Sequence, residues 1–144
     1  MANYRIKASG VHSEALDSVI DKVCAIASEK NNKDVLVLVS QINVAKNDDR
    51  IKRIFGETMF DLLVKKRNNS VGVGDVNFEV EPYAYLKNNT HRAYDRTVVV
   101  LNPSLGDMDT ILQKGNAALD WIIVEMHSDG ELDCWVQSNQ ASDI

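Results

Sequence analysis

The side chains best placed for chemistry follow two apolar segments, 34–41 and 97–101. Unbroken runs of Val, Ile and Leu are typical of strands buried on both faces of a parallel α/β sheet. Ligands of such sheets bind beyond the carboxyl ends of the strands, where helix N-termini offer unpaired N–H groups. We therefore expect a site for a small anionic ligand at this rim. The candidate residues are Ser40, Asn102, Ser104 and Asp107. The alternative is a plain turn in which Ser104 or Asp107 caps the next helix.

A second cluster of reactive side chains lies between residues 91 and 96 and has the sequence His-Arg-Ala-Tyr-Asp-Arg. The imidazole of His91 could act as a general base, and the two arginines could hold an anion. We therefore add His91 to the candidate ligand-binding residues. The alternative is that this segment is only a long polar connector.

Glu125 and His127 lie two positions apart at the end of an apolar segment, so they would share one face of a strand. A carboxylate–imidazole pair is a possible acid/base or metal-binding element. The sequence offers no identifiable third ligand, and we predict no metal site. Chance placement near a turn is the simpler interpretation.

Three acids, Asp75, Glu79 and Glu81, lie on or just before one alternating segment. A Mg²⁺-dependent nuclease gathers such acids together with a lysine, but Tyr83 stands where that lysine is expected. The solvated face of an edge strand is the alternative. The nearby Gly72-Val73-Gly74 lacks the third glycine of a dinucleotide site and precedes a strand, so we predict no cofactor.

Trp121 and Trp135 suggest an interaction surface near the C-terminus. The turn Ser128-Asp129-Gly130 between two apolar segments predicts a β-hairpin formed by residues 121–127 and 131–137. Tryptophans are enriched at interfaces, so we expect this hairpin to support a homodimer. The alternative is that both indoles pack in the core.

The elements that must position these residues form one α/β domain over residues 1–144. Apolar residues recur at helical spacing between Ser13 and Lys30 and again between residues 48 and 67, where Gly56 interrupts the pattern. Strand segments are expected at 34–41, 76–86, 97–101 and 121–126. A short strand is expected at residues 4–8, and residues 138–144 are expected to form a frayed tail. We therefore predict a layered domain with a mixed or parallel sheet of about five strands, helices on both faces and a C-terminal hairpin.

Charge and composition limit the classes of partner. The 144-residue chain has a net charge of −5, which argues against a general nucleic-acid-binding protein. Residues 46–67 carry seven basic and four acidic side chains, whereas residues 97–144 carry one basic and eight acidic side chains. This asymmetry could match one copy of the chain against another. The chain has no segment apolar enough to span a membrane, and its N-terminus resembles no secretory signal.

Two isolated cysteines, Cys24 and Cys134, favour reduced thiols and hence a cytoplasmic protein. No catalytic constellation is complete, so we expect a self-associating binding or interaction protein. The alternative is a small hydrolase acting on a phosphate- or carboxylate-bearing molecule at the 102–107 rim, with His91 or His127 as acid/base. A metal-dependent nuclease is a more distant alternative.

Overall fold

The computed structural model describes residues 2–116 and 118–144. Its strands are β1 (Ala2–Lys7), β2 (Asp34–Val39), β3 (Val71–Val73), β4 (Val76–Pro82), β5 (Thr97–Leu101), β6 (Asp120–Glu125) and β7 (Ser142–Asp143). They form one sheet with the order β3-β4-β2-β5-β6-β1-β7. All neighbouring strands are parallel except β3 and β4, which form an antiparallel hairpin. The predicted α/β class is therefore confirmed, with seven strands rather than about five.

The helical elements lie on both faces of this sheet. They are a 3₁₀ helix (Gly10–Ser18), α1 (Val19–Ala27), α2 (Ile42–Ala45), α3 (Asp49–Phe55), α4 (Glu57–Phe60) with a π-helical turn (Asp61–Lys65), two 3₁₀ turns (Tyr83–Lys87 and Thr90–Ala93), α5 (Leu105–Lys114) and α6 (Asp133–Ser138). Gly56 separates α3 from α4 at φ +79°, as the interrupted pattern predicted. No helix within the described ranges is long and apolar enough to cross a membrane.

Alternate residues of the central strands pack on opposite faces because side chains alternate along a strand. Val35, Val37 and Val39 of β2 pack in one core with α1, α3 and α4. Leu36 and Leu38 pack in a second core with α5, α6 and the 3₁₀ turns. Every residue of β5 and β6 is buried, which explains the uninterrupted apolar runs 98–101 and 121–124 within them.

The predicted C-terminal hairpin is wrong, because residues 133–138 form α6 instead of a strand. The buried Glu125 carboxylate accepts hydrogen bonds from the backbone N–H groups of Gly130 at 2.9 Å and Leu132 at 3.0 Å, which turn the chain back toward the sheet. Leu132, Trp135 and Val136 then lie at positions i, i+3 and i+4, so a helix places all three against the second core.

The C-terminal tail is also more ordered than predicted. Residues 142–143 pair with β1 as the parallel edge strand β7, and the backbone N–H of Ile144 donates to the carbonyl of Arg5 at 3.0 Å. Arg5 forms an ion pair with Asp143, so the tail is attached by both backbone and side-chain contacts.

Three predicted boundaries differ from the structure. The strand predicted over 76–86 ends at Pro82, after which the chain turns into 3₁₀ geometry, since proline cannot donate to a sheet. The loop predicted over 68–75 contains β3. The helix predicted from Ser13 begins earlier, at Gly10, as a 3₁₀ helix that becomes α-helical only at Val19.

Candidate functional site

The carboxyl ends of β2 and β5 form a topological switch point. The two strands are adjacent and parallel. After β2 the chain continues to β4 on one side of this pair, and after β5 it continues to β6 on the other side. The helices that follow also pack on opposite faces, with α3 and α4 in one core and α5 in the other. In open α/β sheets a crevice opens at this point and is the usual place for a ligand.

The structure brings two of the predicted residues to this point. Leu38 and Val100 are register partners, and Ser40 and Asn102 each lie two positions after one of them. Ser40 is exposed, whereas Asn102 has a φ of +58° and its backbone N–H donates to the carbonyl of Val124 at 2.9 Å. Asn102 is therefore held by β6 at the turn from β5 toward α5.

Ser104 and Asp107 form a capping box at the start of α5. The Ser104 hydroxyl accepts from the backbone N–H of Asp107 at 3.1 Å, and the Asp107 carboxylate accepts from the backbone N–H of Ser104 at 3.0 Å. Two helix N–H groups that would otherwise lack partners are satisfied in this way. The alternative helix-capping role is therefore confirmed for both residues, and Ser104 has its hydroxyl engaged.

A cleft of about 400 Å³ lies beside this cap, between the 83–87 turn and α5. Its apolar lining comes from Ala84, Leu86 and Ile111, and its polar lining includes Tyr83 and Asp107. The Tyr83 hydroxyl donates to the carbonyl of Leu101, the last residue of β5. The cleft therefore adjoins the carboxyl end of the sheet where the sequence predicted a pocket.

Burial raises the pKa of the Tyr83 hydroxyl above its usual value, and the nearby Asp107 carboxylate raises this pKa further. Tyr83 is consequently a neutral hydrogen-bond donor rather than a phenolate over the ordinary pH range. It holds the 83–87 turn over the sheet and thereby forms one wall of the cleft.

Two lysines give the cleft a positive rim. Lys87 and Lys114 both line it, both are exposed, and neither forms a salt bridge within the described residues. Asp107 is the acid that lines the same cleft. Two cations and one carboxylate leave an excess of one positive charge beside an apolar wall, which suits an anion with an apolar body.

His91 does not join this cleft. It is exposed on the Thr90–Ala93 turn, while its neighbours Arg92 and Arg96 both bind Glu79 of β4. The distances are 2.5 Å from Arg92 Nη2 and 3.0 Å from Arg96 Nη1. The 91–96 segment is thus attached to the sheet by its arginines instead of forming a free connector.

Glu125 and His127 do not form an acid/base pair. The Glu125 side chain is buried and binds Arg5 and the 130–132 turn, whereas His127 is exposed beyond the strand end. His127 instead lines a cavity with Ser9, Arg50 and Arg53 on the α3 face of the sheet. Within the described residues, His127 lines one cavity and His12 lines another, and Ser104 lines neither of them.

The acids considered for a nuclease each have a basic neighbour. Glu79 binds two arginines, Glu81 binds Arg67 at 2.9 Å, and Asp75 lies 3.9 Å from Lys33. Over residues 2–116 and 118–144, no group of three or more His, Cys, Asp or Glu side chains is placed to hold a metal ion.

The two tryptophans considered as interface residues are core residues in this structure. Trp121 on β6 is 1% exposed and Trp135 on α6 is 5% exposed, and both belong to the second core. The core alternative is therefore confirmed, and the hairpin on which the interface prediction depended does not form.

Cys24 and Cys134 are free thiols, and burial is the main cause that raises the pKa of Cys24.

Sequence reasoning missed Tyr83, Lys87 and Lys114 as site residues. Residues 83–86 were assigned to a strand, and Pro82 was the signal that the strand ends there. On α5, Asp107, Ile111 and Lys114 recur at i, i+4 and i+7, so the helical spacing could have indicated that they share one face.

Comparisons of the chain with known protein families, characterised proteins and solved structures found no match.

Proposed function

We propose that this chain is a binding protein whose ligand is a small organic anion with an apolar body, held in the cleft between the 83–87 turn and α5. The observation that carries the proposal is the combination of an apolar wall with two lysines that have no carboxylate partner within the described residues. The volume of about 400 Å³ is in the range of roughly 300–1,000 Å³ found for small-molecule sites.

Each part of the cleft has a role in this proposal. Ala84 is exposed and Tyr83 is partly exposed, so they give the ligand body an apolar surface, and the buried Leu86 and Ile111 lie behind it. Lys87 and Lys114 neutralise a carboxylate, sulfonate or phosphate group at the rim. The Asp107 carboxylate faces the same space, and this disfavours ligands with several negative charges.

Binding without catalysis is the simpler proposal. A hydrolase at this end of the sheet would use Ser40, Asn102, Ser104 and Asp107 with His91 or His127 as acid/base, and general acid/base catalysis needs contact at about 3 Å. In this structure Ser104 and Asp107 hydrogen-bond each other, and neither histidine lines the cleft. The hydrolase is therefore kept only as an alternative proposal.

The aromatic sulfonate 8-anilinonaphthalene-1-sulfonate is a suitable probe, because its fluorescence reports transfer to an apolar site. We expect saturable binding to the native protein and at least about a tenfold weaker Kd for the double variant Lys87→Glu/Lys114→Glu. The matched control is Lys22→Glu/Lys46→Glu, which makes the same change in net charge at residues that do not line this cleft. Equal weakening in both variants, or no saturable binding to the wild type, would reject the cleft.

Steric filling gives a test that does not depend on charge. Thr110 lines the cleft and is exposed on α5, so Thr110→Trp should fill the space without disturbing the core. We expect this variant to lose probe binding and to keep the unfolding midpoint of the wild type. Retained probe binding would place the probe elsewhere on the protein.

Self-association is a second proposal, and charge distribution is its support. Arg5, Lys7 and Lys30 pair with five of the eight acids of residues 97–144, but no salt bridge within the described residues joins those acids to the basic residues of 46–67. Within the described residues, Lys52 and Lys65 remain outside any salt bridge on the α3–α4 side, and Asp109 does so on α5 at the opposite face.

A contact between Lys52 or Lys65 of one copy and Asp109 of another would join two different faces, which gives head-to-tail association. Sedimentation velocity at low and high salt tests this proposal: we expect an oligomer at low salt that dissociates at high salt, and a monomer for Lys52→Glu/Lys65→Glu at both. A monomeric wild type at low salt and high protein concentration would refute it.

We also propose a cytoplasmic location, supported by the two free thiols.

A further inference from the structure

The cleft between the 83–87 turn and α5 has charges of opposite sign at its two ends. Asp107 lies in the first turn of α5, and Lys114 is the last residue of that helix. Because an α-helix rises about 1.5 Å per residue, the two positions are about 10 Å apart along the helix axis. Both residues line the cleft, which therefore has an acidic end and a basic end.

The opposite wall of the cleft repeats this arrangement. Tyr83 lies at the acidic end, because its hydroxyl donates to the carbonyl of Leu101, shortly before the start of α5. Lys87 is the last residue of the 83–87 turn, and a 3₁₀ helix rises about 2.0 Å per residue, so Lys87 is about 8 Å farther along this wall. A positive charge thus lies away from the acidic end on both walls.

The path of the chain explains why the two lysines lie toward the same end. The 83–87 turn follows the carboxyl end of β4, and the chain then returns to the amino end of β5. Helix α5 follows the carboxyl end of β5 and leads back to the amino end of β6. Both segments pack in the second core, on one face of the parallel strands. They therefore run in the same direction, and Lys87 and Lys114 both lie toward the amino edge of the sheet.

These charged groups do not neutralise one another. Asp107, Lys87 and Lys114 form no salt bridge with any described residue. The Asp107 Oδ2 atom accepts from the backbone N–H of Ser104 at 3.0 Å, whereas Oδ1 accepts no hydrogen bond from the described part of the chain and is not buried. Both lysines are exposed. A ligand in the cleft can therefore reach all three groups.

The surface between the two ends is apolar. Tyr83 and Ala84 provide its accessible part on one wall. On the other wall Ile111 lies between Asp107 and Lys114 in the sequence of α5. An apolar chain along this surface would lose contact with water, which favours binding. An α-amino acid has its two charges on neighbouring atoms, so it cannot meet both ends of the cleft at once.

We propose that the ligand is an elongated zwitterion of the ω-amino acid class, with an ammonium group at Asp107 and a carboxylate at Lys87 and Lys114. This inference rests on the function proposed above for the same cleft, and it names the class of ligand. Charge-assisted hydrogen bonds hold both ends of the molecule, and its methylene chain lies on the apolar surface between them. Asp107 then acts as a specificity residue, because it repels a simple anion and attracts one that carries a distant ammonium group.

Three small molecules test the inference on the wild-type protein by calorimetry at neutral pH. 6-Aminohexanoate and L-norleucine are isomers with the same two charged groups at different separations, and hexanoate lacks the ammonium group. We expect saturable binding of 6-aminohexanoate with a Kd at least about tenfold lower than that of either other compound. Equal Kd values for the two isomers would reject the charge separation, and equal values for 6-aminohexanoate and hexanoate would reject the contact with Asp107.

Asp107→Asn tests the acidic end of the cleft. The amide retains an oxygen that can accept from the Ser104 N–H, so the charge is removed while this capping contact is kept. We expect about a tenfold weaker Kd for 6-aminohexanoate and an equal or lower Kd for hexanoate. The matched control is Asp109→Asn, which removes the same charge from an exposed residue of α5 that does not line the cleft. Equal weakening of both ligands in Asp107→Asn would show a structural role only and would overturn the inference. If this variant does not fold, the three compounds on the wild type still decide.

Failure of this inference and failure of the proposed function give different results. Suppose that 8-anilinonaphthalene-1-sulfonate and hexanoate bind the wild type, lose affinity in Lys87→Glu/Lys114→Glu, and are matched by 6-aminohexanoate without any gain. The cleft would then bind a simple anion, and only the elongated zwitterion would be wrong. If none of these compounds bound the wild type saturably, the proposed function would be wrong as well.

Discussion

Arg5 in the first strand holds Asp143 in the last strand by two parallel hydrogen bonds, from Nε to Oδ1 at 2.7 Å and from Nη2 to Oδ2 at 2.9 Å. The Nη1 group of the same guanidinium donates to Asp133 at 2.5 Å and to Glu125 at 3.2 Å. Arg5 and Glu125 are buried, whereas the side chains of Asp133 and Asp143 are about half exposed. One arginine therefore connects β1, β6, α6 and the C-terminal segment.

Replacing Arg5 should be far more damaging than replacing its exposed partner. Arg5→Met leaves the Glu125 carboxylate buried without a cation, and breaking a buried pair in this way costs about 3 kcal/mol or more. Asp143→Asn removes one half-exposed contact and should cost about 0.5 kcal/mol. Denaturant unfolding of both variants gives the comparison, and equal losses would show that Glu125 does not depend on Arg5.

Acid should release the C-terminal segment before it unfolds the core. The hydrogen bond from Arg5 is the main cause that lowers the pKa of Asp143 below its usual value of 3.8. The ionised form is favoured in the native state, so the stabilisation is complete above the ordinary Asp pKa and is lost as the pH falls through the lower native pKa. The stability difference between wild type and Asp143→Asn should therefore be constant near neutral pH and disappear in strong acid.

Hydrogen exchange of the Ile144 amide gives a local readout of the same event, because this N–H donates to the Arg5 carbonyl. In acid, the Ile144 amide of the wild type should have lost its extra protection and should exchange as fast as that of Asp143→Asn. A difference in stability between the two proteins that persists at low pH would contradict this interpretation.

The sequence was sufficient for the parts of the fold that depend on local pattern. The continuous apolar runs of β2, β5 and β6 predicted buried parallel strands because only a strand covered on both faces tolerates apolar residues at every position. Ser104 was recognised as a possible cap from its place before α5, and the rim beyond β2 and β5 was identified without knowledge of the strand order.

The parts that could not be predicted depend on contacts between distant residues. The 131–137 segment has strand-like composition, but Glu125 binds the 130–132 backbone and Arg5, and these contacts select the helix. The tail becomes a strand through backbone pairing with β1 and through the Arg5–Asp143 contact, both of which join residues far apart in sequence. Such pairs leave no periodic signal in a single sequence.

Ser104 should contribute to stability through its capping contact. Ser104→Ala removes the acceptor for the Asp107 N–H and should cost about 1 kcal/mol. Ser104→Asp is the matched variant, because aspartate also caps helices well and should retain most of the stability. If Ser104→Ala were as stable as the wild type, the capping box would not stabilise α5 in solution.

Two glycines near α5 should respond in opposite ways to alanine. A Cβ at Gly115 would lie 2.7 Å from Cη2 of the buried Trp121, so Gly115→Ala should cost about 1–3 kcal/mol through overpacking. A Cβ at Gly106 would meet nothing closer than the Ser104 hydroxyl at 3.8 Å, and Gly106→Ala should gain about 0.5–1 kcal/mol in the helix. In denaturant unfolding, a Gly115→Ala variant as stable as the wild type would contradict the packing of Trp121, and a destabilised Gly106→Ala would contradict the open space at that position.

The buried hydroxyl of Tyr83 should remain protonated at a pH where exposed tyrosines have ionised. Burial and the Asp107 charge raise its pKa above the usual 10.0, so the native state favours the neutral form. The stabilisation from Tyr83 is therefore complete below the ordinary pKa and is lost as the pH rises through the higher native pKa. Phenolate absorbance of the wild type minus that of Tyr83→Phe should stay near zero until the protein unfolds. If this difference developed at a pH where the protein is still folded, the Tyr83 hydroxyl would be open to solvent and would not form the wall of the cleft.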